Sequence, residues 1–536
     1  MNTNMKHILI TLFLIVTMTS QSWSQYWWKK TYGGSSGESG YSITTTSDGG
    51  VLVTGETSSN DGDFKGRAKG GSDIFVVKLD SRGNVQWKKT YGGSDNEVGQ
   101  SITNTPDKGI VLTGWTVSGD VDFKGLNKGK EDIFVMKLDS VGDVQWKKTL
   151  GGSDNDRGVS ISPTLHSGLV LVGWSDSEDG DLEGMKKSFS DILVVKLDSN
   201  GDVQWKKTIG GSDNDRGLSI SATLDSGLVL TGFTSSNDGD FEDMNKLVSD
   251  IFVIKLDSLG VIQWRKTFGG SGSDWGYSIT TTSDLGVLIT GYTESNDVDF
   301  KGMNKGEKDI FVIKLDSLGD VQWKRTYGGT GGDEGWSITT TPDGGIIISG
   351  YTRSNNGDFD GMHKGQYDIF VMKLDSLGDV QWKRTYGGTG NDWGHSIATT
   401  SDGGPILTGY SSSNDFDFNG IGKGGSDIFV ITLDSNGNLN PSTSVTDYTS
   451  ITPSLLVTPN PISTSSTVVF STGTPTTVRI ELLNTLGESV SVLHDGFMES
   501  GEHRVSLGVS SVSSGLYYVR MTSEGTVNST QVVVLK

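Results

Sequence analysis

The stretch that decides the fold is Trp87–Gln145, WKKTYGGSDNEVGQSITNTPDKGIVLTGWTVSGDVDFKGLNKGKEDIFVMKLDSVGDVQ, because the chain contains seven copies of it. Its first tryptophan recurs every 59 residues, and residues 28–440 hold the seven copies without an insertion or deletion. The recurring positions are Trp28, Trp87, Trp146, Trp205, Trp264, Trp323 and Trp382. A strict internal period of this length is typical of a solenoid or a propeller.

Each copy contains four segments typical of short β-strands. Around Trp87 they are VQWKKTY, QSITNT, IVLTGW and DIFVMKL, rich in β-branched or aromatic residues and bounded by Gly, Asp, Asn or Ser. Tight turns at residues 106–109 and 139–142 alternate with longer loops at residues 92–99 and 119–131. Because consecutive antiparallel strands run in opposite directions, the longer loops of all copies share one face, here called the long-loop face.

The phase of the repeat predicts a closed ring. The first copy begins on its Trp strand with no D-I-F-V strand before it, and the last D-I-F-V strand, residues 427–433, has no Trp strand after it. A ring pairs these two strands, whereas an open solenoid leaves both as exposed edges. The sequence therefore predicts an all-β fold, a monomeric seven-bladed β-propeller over residues 25–440, closed between its terminal strands. A solenoid is the alternative.

The repeat resembles the β-propeller repeats called SBBP, which are common in exported bacterial proteins. The matching motifs are Y-G-G-S-x-x-[DE]-x-G-x-S-I, D-G-G, T-G-[WFY]-T and D-I-F-V-x-K-L-D-S-x-G, over residues 26–440. The resemblance implies a propeller fold. Since that family has no single established activity, it implies no reaction.

Composition excludes several function classes. The chain has 536 residues, with 44 Lys or Arg and 65 Asp or Glu, so its formal charge is −21. This acidity argues against a nucleic-acid partner, because phosphate binding needs clustered basic side chains. The sequence contains no cysteine, which excludes disulfides, thiolate metal sites and cysteine nucleophiles.

The first residues predict export. Lys6 and His7 precede the apolar run 8–18, and small residues at Ser22 and Ser24 suit cleavage before Gln25. This pattern is typical of a secretory signal peptide, here residues 1–24. The run is too short for a membrane anchor, and no later segment of the sequence is long and apolar enough to be a transmembrane helix.

Carboxylates recur at three positions predicted to lie on the long-loop face. The first set is a candidate ligand face and comprises Glu38, Glu97, Asp156, Asp215, Asp274, Asp333 and Asp392. The other two sets form Asp-x-Asp motifs: Asp61 and Asp63, Asp120 and Asp122, Asp179 and Asp181, Asp238 and Asp240, Asp297 and Asp299, Asp358 after Asn356, and Asp415 and Asp417. Such pairs supply the oxygen ligands that Ca²⁺ prefers. The alternative is that they cap turns and pair with nearby lysines.

Two other residue groups are interpreted as structural. An aromatic position in the T-G-[WFY] strand is interpreted as core and comprises Trp115, Trp174, Phe233, Tyr292, Tyr351 and Tyr410. His166, His363 and His395 fall at unrelated repeat positions, and we interpret them as solvated loop residues. An active site normally breaks repeat symmetry, whereas this period never changes. The sequence therefore predicts a non-catalytic binding or structural protein with a glycan or protein ligand and no required cofactor. The alternative is a glycosidase or polysaccharide lyase that uses carboxylates of the long-loop face.

The last hundred residues have a different composition. A Ser/Thr/Pro linker over residues 441–454 precedes about seven alternating strand segments in residues 455–536, which predict an Ig-like sandwich. This segment resembles the type A C-terminal sorting domain of the type IX secretion system. The matching residues are Pro459, Asn460, Pro461, Gly487, Gly515, Tyr517 and Lys536. The resemblance implies the type IX machinery as a partner, with release of the product or attachment to surface lipopolysaccharide.

Overall fold

The computed structural model describes residues 28–165, 168–185, 189–400, 402–439, 455–458, 460–472, 475–485, 487–499, 501–510, 512–523 and 526–535. The chain divides into two compact units, residues 1–440 and 441–536. Their described parts are here called the repeat unit (28–439) and the sorting unit (455–535). The predicted signal peptide and linker lie outside the described residues.

The repeat unit consists of seven antiparallel four-stranded sheets. The inner strands are Glu38–Thr45, Glu97–Asn104, Asp156–Pro163, Asp215–Ala222, Asp274–Thr281, Asp333–Thr340 and Asp392–Thr399. The second strands are Val51–Thr57, Ile110–Thr116, Leu169–Ser175, Leu228–Thr234, Val287–Thr293, Ile346–Thr352 and Pro405–Ser411. The third strands are Asp73–Leu79, Asp132–Leu138, Asp191–Leu197, Asp250–Leu256, Asp309–Leu315, Asp368–Leu374 and Asp427–Thr432. The outer strands are Val85–Tyr91, Val144–Leu150, Val203–Ile209, Ile262–Phe268, Val321–Tyr327, Val380–Tyr386 and, in the last sheet, Lys29–Tyr32.

Burial differs between the strands of each sheet. The third strand Asp73–Leu79 is buried at every residue, whereas the outer strand Val85–Tyr91 is exposed or half-buried at every residue except Tyr91. A single 3₁₀ turn in the longer loop places a Phe or Leu over the third strand, as Phe64 does with its ring 5.7 Å from that of Phe75. These turns are Gly62–Phe64, Val121–Phe123, Gly180–Leu182, Gly239–Phe241, Val298–Phe300, Gly357–Phe359 and Phe416–Phe418.

Neighbouring sheets are joined by one hydrogen bond that recurs at every inner strand. The Ile102 N–H donates to Ser42 Oγ at 3.2 Å, and five further Ile–Ser pairs repeat this bond along the chain. The Ile43 N–H donates to Ser396 Oγ at 3.2 Å, which joins the first inner strand to the last. The strand Lys29–Tyr32 also pairs antiparallel with Asp427–Thr432, so both ends of the repeat unit meet in one sheet.

Each inner strand contains a bulge that aims one side chain away from the ladder. In the first sheet Gly40 pairs with Gly55 and Ser42 with Thr54, which leaves Tyr41 as the extra residue between them. The same register shift occurs in all seven inner strands. A bulge re-aims its extra side chain, and bulges are common beside functional sites.

The sorting unit consists of two antiparallel sheets that share one core. One sheet orders its strands as Leu456–Thr458, Ser465–Thr472 and Gly501–Gly508; the other orders them as Ser489–Met498, Thr476–Leu483, Gly515–Ser523 and Thr526–Val534. Val468 and Phe470 from the first sheet pack in one cluster with Ile480 and Val519 from the second. Among the described residues of both units, no helix is long and apolar enough to cross a membrane.

Candidate functional site

The bulged side chains of all seven inner strands line one pocket of about 270 Å³. These residues are Tyr41, Gln100, Val159, Leu218, Tyr277, Trp336 and His395, spaced by 59 residues. Trp115, Arg157, Trp174 and Trp275 complete the lining. Because one residue comes from every sheet, the pocket lies where the inner strands face each other, and we call it the axial pocket. Its lining lies near the strand ends that lead into the longer loops.

Aromatic rings form most of the pocket wall. The rings of Tyr277 and Trp336 stack with centroids 4.6 Å apart, and the Trp336 and His395 rings are 5.0 Å apart. The Tyr41 ring stacks on the His395 ring at 5.1 Å, while Trp275 stacks on a buried phenylalanine at 4.1 Å. These contacts hold the rings rigidly, so the wall presents flat apolar faces to a ligand.

Few groups in this wall carry charge. Burial lowers the pKa of His395 to about 4, so its imidazole is neutral at neutral pH, and its Nδ1–H donates to the Gly40 carbonyl oxygen at 3.0 Å. Burial also raises the pKa of Tyr41 and of Tyr277 above the usual value for a phenol. The charged side chain in the described lining is that of Arg157, whose guanidinium lies 4.7 Å from the Trp115 ring centre.

The structure corrects two interpretations of the sequence. His395 is 8% exposed and lines the pocket, so it is not a solvated loop residue. The aromatic position is largely buried as expected, but Trp115 and Trp174 also line the axial pocket. His166 lies outside the described residues. The signal that could have revealed the pocket was variation at two positions of the inner strands. Residue 41 and its equivalents read Tyr, Gln, Val, Leu, Tyr, Trp and His, and residue 39 and its equivalents read Ser, Val, Arg, Arg, Trp, Glu and Trp.

The carboxylates predicted to form a ligand face are instead buried. Glu38, Glu97, Asp156, Asp215, Asp274, Asp333 and Asp392 are each at most 1% exposed. Glu38 accepts hydrogen bonds from the Gly34 N–H at 2.9 Å and from the Thr57 hydroxyl at 3.2 Å. Because their oxygens bond the adjoining loop and second strand, these side chains hold the loop in place and do not reach a ligand.

A second buried carboxylate faces each of these residues across a glycine. A Cβ built on Gly92 would lie 1.9 Å from Asp73 Oδ1 and 2.6 Å from Glu97 Oε2, so the glycine is required at that point. The equivalent pairs, here called the junction pairs, are Asp73–Glu97, Asp132–Asp156, Asp191–Asp215, Asp250–Asp274, Asp309–Asp333, Asp368–Asp392 and Asp427–Glu38. Burial raises the pKa of Asp132, Asp250, Asp274 and Asp309 to about 6.

The Asp-x-Asp motifs bond the protein's own N–H groups. Asp61 Oδ1 accepts from the Ser35 N–H at 2.7 Å, and Asp63 Oδ2 accepts from the Gly33 N–H at 3.1 Å. The other copies repeat both contacts, with Asn356 in place of Asp in the sixth. The second Asp of six motifs also pairs with a lysine of a neighbouring sheet, as Lys305 does with Asp358 at 2.8 Å. In the described parts of both units no three acidic or histidine side chains converge as a metal site would require.

We expect excess chelator to leave the melting temperature of the secreted protein unchanged. The Asp-x-Asp oxygens already face N–H donors and lysines, so turn capping accounts for the motif. Differential scanning fluorimetry with and without EDTA tests this. A fall in melting temperature that added Ca²⁺ reverses, and Mg²⁺ does not, would restore the calcium hypothesis.

Asn460, Gly515 and Tyr517, three of the predicted sorting residues, lie beside the last strand of the sorting unit. The Asn460 side chain donates to the Gln531 carbonyl and accepts from the Val533 N–H, both at 2.9 Å. Pro461 precedes Ile462, which pairs with Val534. Gly487 has a φ of +82° in a turn, which favours glycine, and Gly515 begins a strand in which the Tyr517 hydroxyl donates to a backbone carbonyl at 3.1 Å. Pro459 and Lys536 lie outside the described residues.

Comparison with known families identifies this second unit. Residues 456–536 match the family described as "Secretion system C-terminal sorting domain". The chain thus carries a C-terminal sorting domain, and the protein is delivered by type IX secretion to the cell surface or the extracellular space.

The curated relatives of the chain are distant in sequence. The chain is 26% identical over 409 residues to the regulatory protein FlaEY of Caulobacter vibrioides, which covers 68% of this chain and 42% of that one. It is 22% identical over 263 residues to an uncharacterized WD repeat-containing protein of Acanthamoeba polyphaga mimivirus, which covers 40% of this chain and 19% of that one. The chain therefore spans less than half the length of these relatives.

Solved structures with similar folds are also remote in sequence. A Bacteroides vulgatus protein of the DUF4221 family is 10% identical with a TM-score of 0.31, covering 76% of this chain and 96% of its own. A Synechocystis apocarotenoid oxygenase is 11% identical with a TM-score of 0.37, covering 76% and 94%. These similarities support no conclusion about fold or activity; the all-β architecture of repeated four-stranded sheets rests on the strands of this chain itself.

Proposed function

We propose that the protein is an exported, non-catalytic glycan-binding propeller that holds its ligand in the axial pocket. The observation that carries the proposal is the break in repeat symmetry at the bulge position. The seven copies share their period, their bulge and most core residues, yet the bulge position differs among them and places its side chains into one common cavity. The position of Arg157 and Trp275 also varies among the copies and contributes to the same lining, which a protein that served only as a scaffold would not require.

We also propose that the seven sheets close into a seven-bladed propeller and that the sorting unit is Ig-like. The Ile–Ser hydrogen bonds run between every neighbouring pair of inner strands and include the bond from Ile43 to Ser396. The lysine–aspartate contacts follow the same order and include Lys423 with Asp63. Seven antiparallel strands in two sheets with one core support the Ig-like assignment.

The chemistry of the wall favours a sugar over a peptide. A pyranose ring has an apolar C–H face that stacks on an aromatic ring, and hydroxyl groups at its rim that need polar partners. The axial pocket offers stacked faces at Trp275, Tyr277 and Trp336, with the Gln100 amide and the Arg157 guanidinium beside them. A mostly aromatic cavity with a few polar groups is the usual form of a small-ligand site.

The same wall argues against the glycosidase or lyase alternative. Glycosidases need two carboxyl groups on either side of the scissile bond, and none of the residues described in the pocket lining is Asp or Glu. The raised pKa of Tyr277 makes its phenol a poor base. Incubation with polysaccharides, with chromatography of the products, tests this directly, and depolymerisation would favour the enzyme.

We expect Trp336→Leu to weaken glycan binding about tenfold, because one stacked face is lost, at about 1–1.5 kcal/mol. The fourth copy has Leu218 at the same bulge position, so the substitution suits the fold. Leu318→Ser, on an exposed tight turn, is the control and should bind as the wild type does. A glycan array on the secreted protein, followed by calorimetry on the best ligand, measures the effect.

Two results would contradict the proposal. One is a wild-type protein that binds no glycan on the array. The other is a Trp336→Leu variant that keeps full affinity while remaining folded.

A further inference from the structure

Positive charge is concentrated at one edge of the axial pocket. The Arg157 guanidinium lies between two indoles, 4.7 Å from the Trp115 ring centre and 5.4 Å from that of Trp174. Its Nε and Nη2 both bond Glu131, the latter at 2.7 Å to Oε1. Its Nη1 has no hydrogen bond among the described residues, so this end of the guanidinium is available to a ligand.

A second arginine shares the same indole. Arg216 is the equivalent of Arg157 in the next copy, and its guanidinium lies 4.1 Å from the Trp174 ring centre. Its Nε is buried and has no hydrogen-bond partner among the described residues. Burial and repulsion from Arg157 lower the pKa of Arg216, while attraction from Asp176 and Glu131 opposes this shift. Each of the two cations has a carboxylate nearby, but Nη1 of Arg157 and Nε of Arg216 are without a hydrogen-bond partner among the described residues.

The opposite wall is uncharged. It consists of Trp275, Tyr277 and Trp336, and of His395 in its neutral form. Glu334 lies behind this wall and is paired with Lys308 at 2.8 Å. The pocket thus has one cationic edge and one aromatic side.

We propose that the glycan in the axial pocket is acidic, with the carboxylate of a uronic acid on Arg157 and its ring on the Tyr277–Trp336 side. This inference rests on the proposed glycan-binding function. A guanidinium donates paired N–H groups to the two oxygens of a carboxylate, which makes such contacts stronger and more directional than those with neutral hydroxyls. The net negative charge of the protein is screened beyond about 8 Å at physiological salt, so the local cation governs the contact.

The test compares oligogalacturonides with the same oligosaccharides after chemical reduction of their carboxyl groups, by calorimetry on the secreted protein. We expect the acidic form to bind at least about tenfold more tightly, as expected for a charge-assisted hydrogen bond. The double variant Glu131→Ser/Arg157→Ser should lose this preference, because the acidic form loses more affinity than the reduced form does. Serines already occupy the equivalent positions of the first junction, at Ser39 and Ser426, so we expect the fold to accept both substitutions.

Glu131→Ser alone is the matched control. It removes the competing carboxylate from Arg157, and we expect it to keep or increase the preference for the acidic form. Two results would overturn the inference but not the glycan-binding function. One is equal binding of both forms by the wild type, and the other is a preference for sulfated neutral glycans. Binding of neither form, nor of any glycan on the array, overturns the proposed function itself.

Discussion

The melting temperature of the repeat unit should fall by about 5–10 °C between pH 5 and pH 8. The cause is the set of junction pairs, in which two buried carboxylates face each other at every contact between sheets. The Oδ1 atoms of Asp132, Asp250 and Asp309 are buried without a hydrogen-bond partner among the described residues, so ionisation there is costly.

The direction of this change in melting temperature follows from the raised pKa values of the junction pairs. Burial raises the pKa of Asp132, Asp250, Asp274 and Asp309 to about 6 in the folded protein, against about 3.9 in the unfolded chain. The contribution of these carboxyl groups to the stability of the folded protein is fully present below pH 4 and is lost as the pH rises through 6. At 1.36 kcal/mol per pKa unit, ionisation of the four groups together lowers the free energy of unfolding by several kcal/mol.

A second set of aspartates places the optimum between about pH 4 and 5. Hydrogen bonds from lysines, together with those from threonines, lower the pKa of Asp107, Asp284 and Asp343 to about 2. Groups of this kind stabilise the fold above their unfolded pKa and lose that contribution as the pH falls towards 2. Calorimetric scans from pH 3 to pH 8 at constant ionic strength should therefore show a maximum in the melting temperature on the acid side.

The variant Asp250→Asn isolates one junction pair. An amide cannot ionise and can donate to Asp274, so we expect the variant to be more stable than the wild type at pH 8 and no more stable at pH 4. Asp107→Asn is the matched control, because it removes an ionised partner of Lys137 and should not stabilise the protein at pH 8. A melting temperature that rises from pH 5 to pH 8 would refute the assignment.

Deletion of residues 456–536 should abolish surface delivery and leave the repeat unit folded in the periplasm. The deleted segment is the whole matched sorting domain, and the repeat unit is a compact unit by itself. Fractionation of cells that possess type IX secretion, combined with protease digestion of intact cells, measures the effect, and we expect at least about a tenfold loss of surface protein. Unchanged surface exposure of the truncated chain would contradict the prediction.

Asn460→Ala gives a finer test of the same unit. It removes both side-chain hydrogen bonds that join this residue to the last strand, at a cost of about 1–3 kcal/mol. We expect partial loss of delivery and a lower melting temperature of the sorting unit. An exposed substitution on the same unit, Phe497→Ser, should leave delivery intact.

The sequence by itself determined the strand pattern, the period and the sorting domain, because each of these is encoded by short, continuous segments of residues. Four strand segments with alternating short and long loops recur in every copy, and the structure contains them as four-stranded sheets. Likewise, the motifs around Asn460 and Tyr517 were sufficient to predict the sorting domain, since they occur together in one continuous segment.

Only the tertiary structure decided which way the polar side chains point. Glu38 and its equivalents occur in Gly-rich loops, which suggested an exposed acidic face, but a loop carboxylate can face either water or the N–H groups of its own loop. The choice depends on how closely the neighbouring sheet packs. At Gly92 that packing brings two carboxylates together and buries both.

The axial pocket is likewise decided only by the tertiary structure. Tyr41, Trp336 and His395 are far apart in the sequence, and within one copy each is a single variable residue in a short strand. They become neighbours because a bulge turns each side chain out of its sheet and the seven inner strands then meet around one cavity. The period alone determined that these positions are equivalent, but the pocket exists only once all seven sheets are assembled.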